Sequence, residues 1–343
     1  MNRRDKERGT RDEARGTMGE SQTDPRPSTL DPRPSALLRF QRNRLAVVSA
    51  WVLTALVAMV VAWPVMLKVA EWSGPSGARF AQHYQPDHLS DDQFQPPSRR
   101  HWFGTDLHGR DLLSRVLYGA QISLLVGIVG TGVSLVIGVL WGTIAGYAGG
   151  RLDGVMMRFV DILYSLPSII FVIVLFTTFE GVLKNWSAAA GSAGVQKSAH
   201  LLFLVFGLGA VSWLTMARIV RGQVLSLRQR AFVEASRALG AGPFRILARH
   251  IIPNTLGVVI VYLTLTVPGI ILYESFLSYL GLGIQPPMAS WGSLIAEGAE
   301  QMNPIRIYWW LILFPSGWLV TTLLALNFIG DGLREAWDVR GRA

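Results

Sequence analysis

Six long, predominantly apolar stretches of this 343-residue chain contain no Asp, Glu, Lys or Arg, and their length constrains the fold more than any other feature. They cover residues 45–67, 116–150, 162–179, 198–217, 251–273 and 307–330. About 20 apolar residues in a helix cross the ~30 Å hydrocarbon layer of a bilayer. Because backbone N–H and C=O groups find no water there, each stretch must satisfy its own hydrogen bonds as a helix. The sequence therefore predicts an all-α integral membrane protein with six transmembrane helices.

Composition supports this class and excludes others. Charged residues make up 16% of the chain, whereas soluble domains average about 25%. The absence of cysteine excludes disulfides, thiol nucleophiles and Cys-based zinc or iron–sulfur sites. The net charge of +9 could indicate nucleic-acid binding. However, Phe40 is the only aromatic residue among the basic residues of the first 44 positions, so we expect a disordered basic tail and no nucleic-acid partner.

The distribution of Lys and Arg predicts the direction of insertion. Segments 1–44, 148–158, 218–253 and 331–343 alternate along the chain and carry 23 of the 32 Lys and Arg residues. Positive charge stays on the cytoplasmic side, so both termini are expected there, in a bacterial plasma membrane. The predicted organisation is a cytoplasmic tail (1–44), a first transmembrane helix retained as an anchor (45–70), an extracytoplasmic segment (71–115), a five-helix core (116–330) that contains the cytoplasmic loop 218–253, and a cytoplasmic tail (331–343).

The loop 218–253 carries the most distinctive pattern. It predicts two short helices, 229–239 and 243–250, hinged at Gly240 and Gly242 and stopped near Pro253. Glu234 is spaced for ion pairs with Arg230 and Arg237 on one helix face, with Phe232, Ala235 and Leu239 supplying apolar contact. From the residues alone, a rigid projection that contacts a partner and a plain surface hairpin are both open.

The same loop resembles the coupling-loop signature of permease subunits of ATP-binding-cassette importers. That signature is Glu-Ala-Ala, three residues, Gly, and a spacer ending in Leu-Pro. The chain differs from it by Ser236, His250 and Ile252. The resemblance implies that the loop contacts an ATPase through Glu234, Ala235, Ser236, Arg237, Gly240 and Pro253.

Further motifs extend the resemblance over roughly residues 100–340. They are Phe103-Gly104-Thr105-Asp106, Gly109-Arg110-Asp111, Tyr118-Gly119-Ala120-Gln121-Ile122-Ser123-Leu124, Ser278-Tyr279-Leu280-Gly281-Leu282-Gly283, Ser290-Trp291-Gly292 and Gly330-Asp331-Gly332-Leu333-Arg334. Together they resemble the C-type permease of dipeptide, oligopeptide and nickel importers, although Asp338-Val339-Arg340 lacks the usual middle proline.

This resemblance implies a type I importer permease fold and a set of partners. The partners are a second, homologous permease, two cytoplasmic ATPase subunits, an extracytoplasmic solute-binding protein and membrane lipid, with no cofactor. The transported solute stays open among dipeptides, oligopeptides, nickel and other small solutes.

No catalytic or metal-binding motif accompanies these features. The four lysines, Lys6, Lys68, Lys184 and Lys197, stand outside any Gly-Lys-Ser/Thr phosphate loop. The chain is therefore expected not to be an enzyme, and ATP hydrolysis would belong to another subunit. A secondary carrier would need acidic residues within its spans, and an intramembrane enzyme would need paired acids, a Ser–His pair or metal ligands.

Within the spans, three features bear on packing and on the transport pathway. A helix near 118–147 carries small residues four apart, Gly130, Ser134, Gly138, Gly142 and Gly146, which predicts close helix packing. Pro167, Pro268 and Pro315 are expected to kink their helices. Pro268, Gly269 and Glu274 are the pathway candidates, with plain packing and a hydrated position of Glu274 at the membrane edge as alternatives.

The remaining expectations concern the edges of the spans. The sequence predicts that Trp63, Trp72, Trp309 and Trp310 lie in the interfacial aromatic belts. It also predicts that an amphipathic stretch around Trp291 (285–303) lies along the interface and, with residues 71–115, offers a docking surface for the binding protein. Asp161 is expected to pair with Arg158 at a helix end.

Overall fold

The computed structural model describes residues 36–189, 193–286 and 288–337, and it describes side chains over 38–178, 201–286 and 288–337. The predicted disorder of the N-terminal tail falls mostly outside these residues, as does the Asp338-Val339-Arg340 ending. The helices are α1 (Ala36–Arg42), α2 (Arg44–Trp72), α3 (Pro75–His83), α4 (Leu112–Ala148), α5 (Gly150–Tyr164), α6 (Ser168–Ala189), α7 (Ala193–Arg228), α8 (Ala231–Ala238), α9 (Pro243–Ile246), α10 (Ile252–Tyr279), α11 (Trp291–Glu300) and α12 (Trp310–Trp337).

The membrane-spanning architecture is confirmed, with one span broken. Over the described residues, five helical stretches are long and apolar enough to cross a bilayer, and they lie in α2, α4, α7, α9–α10 and α12. A sixth crossing requires α5 and α6 to be counted together, although they meet at a bend of 89°. The kink predicted at Pro167 is therefore confirmed, and it is sharp enough to divide this crossing into two helices. Pro167 stands at the break and removes a backbone donor, whereas α10 and α12 continue through Pro268 and Pro315.

Helix α4 is longer than predicted because its first turn is capped. The side chain of Asp111 accepts a hydrogen bond from the backbone N–H of Ser114 at 3.0 Å, which starts the helix six residues before the expected Tyr118. At the other end Gly149 adopts a φ of +66°, a conformation that side chains disfavour. The chain therefore turns at Gly149 into α5.

The stripe of small residues on α4 packs against α7, as predicted. A methyl group on Gly138 would lie 2.6 Å from Cβ of Met216, and one on Gly146 would lie 2.9 Å from the carbonyl oxygen of Arg221. A methyl group on Gly142 would collide with the carbonyl oxygen of Ala217. Only glycine lets the two backbones come this close, so the stripe sets the distance between α4 and α7.

The two ends of the bundle carry different structures. One end carries the loop 218–253, and we call it the loop end. The helices α4, α7 and α12 finish there, and α8 projects from the bundle. At the opposite end, residues 84–111 form a compact loop, and α3 and α11 pack beside it. The indole N–H of Trp63 donates to Ser114 Oγ at 3.1 Å, and that of Trp310 donates to the carbonyl of Thr105 at 3.2 Å. Both side chains are buried, so the prediction that they lie in aromatic belts was wrong.

Helix α11 also differs from expectation, since it is inserted between other helices. Trp291 is 1% exposed, and its indole N–H donates to the carbonyl of Val116 at 3.2 Å. The prediction of a helix lying along the interface was wrong because this tryptophan finds a buried acceptor on α4.

Helix α5 is tied to α7 by two ion pairs. Asp153 accepts two hydrogen bonds from the guanidinium of Arg221, at 2.5 and 2.7 Å. Asp161 pairs with Arg218 at 2.8 Å, in place of the predicted partner Arg158. The sharp turn at Pro167 leaves α5 lying against α7, which brings a different arginine within reach.

We expect Gly142→Ala to lower the free energy of unfolding by about 1–3 kcal/mol, because the added methyl forces α4 away from α7. Gly132→Ala is the matched control, since a methyl at this position of the same helix meets nothing within 4 Å. Thermal unfolding of the purified subunit in detergent measures both. Equal melting temperatures for the two variants would contradict the packing argument.

Candidate functional site

Helix α8 is anchored to the loop end by a single buried side chain. Val233 is fully buried and joins an apolar cluster with Val224 of α7 and with Ile246 and Ile251. The rest of this eight-residue helix is largely exposed. Burial of one valine on a short helix fixes its position while leaving most of its surface free for contact.

The free surface of α8 and the following turn is apolar. Phe232 is 41% exposed, Leu239 is 87% exposed and Phe244 is 83% exposed. The ring of Phe232 lies 6.4 Å from that of His250, centroid to centroid, whereas Leu239 is left almost fully accessible. Ala235 is exposed next to them, and Ser236 donates its hydroxyl to the carbonyl of Phe232 at 2.8 Å. Grouped apolar side chains of this size outside the spans are typical of a protein–protein contact.

Gly240 ends α8 in the geometry that its motif position predicts. Its φ is +78°, and the N–H of Ala241 donates to the carbonyl of Ser236 at 3.0 Å. This pattern closes a helix and suits glycine, because other side chains strain in that region. The helix spans Ala231–Ala238, slightly shorter than the predicted 229–239.

The predicted charge network on α8 does not form among the residues that the structure describes. Among the described ion pairs none includes Glu234, which is exposed. The guanidinium of Arg237 instead lies 5.3 Å from the ring centroid of Tyr147, at the end of α4. The prediction was wrong because a cation beside an aromatic face gains more than a solvated ion pair gains on a helix surface. Glu234 is therefore left without an ionic partner in the described part of the chain.

Pro253 does not stop the second helix, contrary to prediction. A single π turn, Leu247–Ile251, joins α9 to α10, so that one helix runs from Pro243 to Tyr279. In that turn the N–H of Ile252 donates to the carbonyl of Leu247. Single wider turns of this kind occur within α-helices where the regular pattern of hydrogen bonds is interrupted. Pro253 interrupts that pattern because it has no backbone N–H to donate.

The three pathway candidates on α10 do not share one surface. Pro268 and Glu274 are buried. Gly269 is partly exposed, and a methyl group there would meet nothing within 4 Å. The alternative of a hydrated Glu274 at the membrane edge was wrong, since this residue is 0% exposed and accepts hydrogen bonds from serine hydroxyls.

A charged network at the opposite end was missed by the sequence analysis. Arg115, buried near the start of α4, donates to Asp106 at 2.8 Å and to both carboxylate oxygens of Glu297 on α11. Arg110 adds a bond to Asp106 at 2.7 Å and one to Glu297 at 3.2 Å. The spacing of Asp106 and Arg110 could have indicated one pair, but Glu297 is 182 positions from Arg115.

This network borders a cavity of about 400 Å³. Its walls combine Leu294 and Leu311 with the polar side chains of Glu300 and Gln301. The cavity opens at the same end of the bundle as the compact loop 84–111, so a polar ligand or partner group that enters from that side meets paired charges over an apolar floor.

A second buried polar pair holds the compact loop against α4. His101 Nδ1 lies 3.2 Å from the carboxylate of Asp111, and both side chains are nearly inaccessible. Burial raises the pKa of Asp111, although its hydrogen bond from the Ser114 N–H and its contact with His101 oppose that shift. Burial also lowers the pKa of the neighbouring His83. The helix cap and the loop therefore depend on the same carboxylate.

We expect Arg115→Met to destabilise the protein strongly, because Asp106 and Glu297 each lose a charged partner. Removing one member of a buried ion pair typically costs about 3–5 kcal/mol, and the remaining Arg110 places the expected loss at the lower end. Arg99→Met, an exposed arginine of the same loop, is the control and should change stability by less than about 0.5 kcal/mol. Thermal unfolding in detergent compares them, and similar losses would refute the role of the network.

Comparison with known proteins places this amino-acid sequence in a family. Residues 138–341 match the family described as binding-protein-dependent transport system inner membrane component, and residues 34–97 match the N-terminal TM domain of oligopeptide transport permease C. The oligopeptide transport system permease protein OppC of Haemophilus influenzae is 43% identical over 309 residues, covering 89% of this chain and 87% of that protein.

Two further relatives have the same extent. OppC of Escherichia coli is 44% identical over 308 residues, covering 89% of this chain and 90% of that protein. The dipeptide transport system permease protein DppC of Bacillus subtilis is 39% identical over 304 residues, covering 89% and 84%. The resemblance to C-type permeases noted in the sequence is confirmed. The chain belongs to the family of binding-protein-dependent transport system inner membrane components.

Proposed function

We propose that this chain is a permease subunit of an ATP-driven importer of oligopeptides or dipeptides. Relatives named for oligopeptide and dipeptide transport match it over 89% of its length, which supports peptides over the alternative of nickel or another small solute. Membership of a binding-protein-dependent family argues against a secondary carrier. The chain has no phosphate loop, so ATP hydrolysis belongs to separate ATPase subunits.

The observation that carries the coupling role is the shape of α8. One buried valine fixes this helix, while Phe232 on it is 41% exposed, and Leu239 and Phe244, which follow it, are 87% and 83% exposed. An apolar helix face of this kind fits a groove on a partner. We propose that the groove lies on an ATPase and that Glu234, which pairs with no described side chain, meets a polar or cationic group at the rim of that groove.

The turn at Gly240 and the helix through Pro253 would pass the movement on. Because the Gly240 turn is closed by backbone hydrogen bonds and α9 continues into α10, displacement of α8 by the ATPase would tilt a membrane-spanning helix. Tilting of that helix would alternate access between the two sides of the membrane. Ala235, Ser236 and Arg237 complete the contact surface in this proposal.

The other partners follow from the two faces of the subunit. A homologous permease would cover apolar helix surface in the membrane and complete the pathway, with Pro268 and Gly269 on this subunit's side of it. A solute-binding protein would dock at the opposite end, on the loop 84–111 and the charged cavity. Lipid surrounds the remaining helix faces in a bacterial inner membrane, and no cofactor or nucleic acid is required.

Removing apolar area from α8 is expected to uncouple transport. In membranes that contain the complete importer, Leu239→Ser should lower uptake of a labelled oligopeptide at least about fivefold, since burying a leucine contributes about 1.5–3 kcal/mol. The amount of inserted subunit should stay unchanged, because the side chain of Leu239 is 87% exposed. Glu234→Lys should act in the same direction.

Val69→Ser is the matched control. Val69 is also an exposed apolar side chain, at 62%, and it lies near the C-terminal end of α2, away from α8. It should leave uptake within about twofold of the unmodified protein. Full uptake by Leu239→Ser at unchanged expression would contradict the coupling role. Accumulation of nickel instead of peptide by the unmodified complex would favour the alternative solute.

We also propose that both termini are cytoplasmic, since 23 of 32 Lys and Arg residues fall on the segments of that side. Alkaline phosphatase is active only outside the cytoplasm, so its fusion after Ala343 should be inactive. A fusion inside the loop 84–111 should be active. Activity in the reverse pattern would overturn this orientation.

A further inference from the structure

A short segment covers the end of the helix bundle opposite α8. We name Gly281–Gln285 the cap segment. Ile284 in this segment is 4% exposed and packs in one apolar cluster with Val126 of α4, Leu204 of α7 and Leu277 of α10. The cap segment therefore closes the space between these helices at that end.

The polar side of the cap segment is held by Glu274. The N–H of Ile284 donates to Ser278 Oγ at 3.0 Å, and that hydroxyl donates to Glu274 Oε1 at 2.7 Å. Ser290, the cap residue of α11, donates to the same Ser278 oxygen at 3.3 Å. Ser278 therefore links the backbone of the cap segment to the carboxyl group of Glu274 through two consecutive hydrogen bonds.

A second chain of hydrogen bonds reaches the carboxyl group from α11 by way of α4. The N–H of Trp291 donates to Ser123 Oγ at 3.3 Å, and Ser123 donates to Glu274 Oε2 at 3.1 Å. Ser275 lies 3.5 Å from the same oxygen. Glu274 thus accepts from hydroxyls on two helices, and through them it holds the backbone of the cap segment and the first turn of α11.

No cation shares this position. Within the described side chains, no Lys, Arg or His forms an ion pair with Glu274, which is fully buried. The N-terminus of the ten-residue α11 faces it through Ser290 and Trp291, and the partial positive charge of that end suits a carboxyl group. A buried acidic group held only by hydroxyls and a helix end is costly to keep, so a purely packing role would be served better by an apolar side chain.

We propose that Glu274 is a positioning residue that holds the cap segment and α11 over the outer end of the transport pathway. The proposal rests on the proposed function for the meaning of the pathway, whereas the positioning itself concerns this chain alone. Loss of the acceptor releases Ile284 from between the helix ends and opens the subunit on the side where the solute enters.

The experiment measures exposure of the cap segment directly. The chain has no native cysteine, so Ile284→Cys supplies a unique thiol, and its rate of reaction with a membrane-impermeant maleimide is followed in the complete importer. We expect Glu274→Gln to raise this rate at least about tenfold, because buried donors then face an amide with fewer acceptor sites. Glu274→Asp, which restores a carboxyl group, should recover part of the protection.

Two reporters and one variant serve as controls. Gln285→Cys, exposed in the same segment, should react quickly with or without Glu274→Gln. Ala81→Cys, buried in α3 at the same end of the bundle, should stay protected in both, which excludes general loosening. Glu300→Gln makes the same chemical change at an exposed position of α11 and should leave the Ile284→Cys rate unchanged.

Ser278→Ala provides an independent test, and it decides the outcome if Glu274→Gln fails to accumulate. It removes the relay and should raise the Ile284→Cys rate to a similar degree, while the double variant should react no faster than the faster single one, since both act through one network. Unchanged protection in Ser278→Ala, or simple multiplication of the two effects, would overturn the proposal.

These results separate the two proposals. If maleimide reactivity depends on Glu274 but the complex carries no peptide, the proposed function fails and the positioning role stands. If peptide uptake is normal in every respect and reactivity is unaffected by either variant, the positioning role fails and the proposed function stands.

Discussion

The close approach of α4 and α7 is the contact on which both ends of the subunit depend. Helices in lipid gain little from the hydrophobic effect, so their association rests on van der Waals packing and on how near the backbones can come. The glycines at 138, 142 and 146 contribute no side-chain atoms to that seam, so the backbone of α4 lies directly against α7. Because α4 also carries Tyr147 at one end and Ser123 toward the other, it forms the wall against which Arg237 and Glu274 are set.

Features set by local sequence could be predicted, and features set by distant partners could not. The lengths of the uncharged stretches indicated the spanning helices, and four-residue spacing indicated the glycine stripe. Proline alone did not reveal that the chain breaks at Pro167 but continues through Pro268 and Pro315. The outcome at Pro167 includes ion pairs between α5 and α7, whose partners lie 57 and 68 positions apart.

The same division applies to the candidate site. The backbone conformation of Gly240 followed from its position after a short helix. Whether Glu234 forms an ion pair did not follow from the sequence. Spacing along a helix shows which side chains can reach each other but not which partner each prefers, and Arg237 lies over the ring of Tyr147 instead. The network of Arg115 with Glu297 joins helices that are far apart in sequence, and the serines around Glu274 come from α4 and α10. Such groups gather only once the bundle has formed.

The π turn before Pro253 has a mechanical consequence. It keeps Pro243–Tyr279 a single rod of 37 residues, about 56 Å long at 1.5 Å per residue. Swinging such a rod by about 5° around one tip carries the other tip through about 5 Å. A rotation imposed beside Gly242 therefore produces a larger displacement near Glu274 through length alone, without successive side-chain rearrangements, whereas a break at the proline would have divided the rod in two.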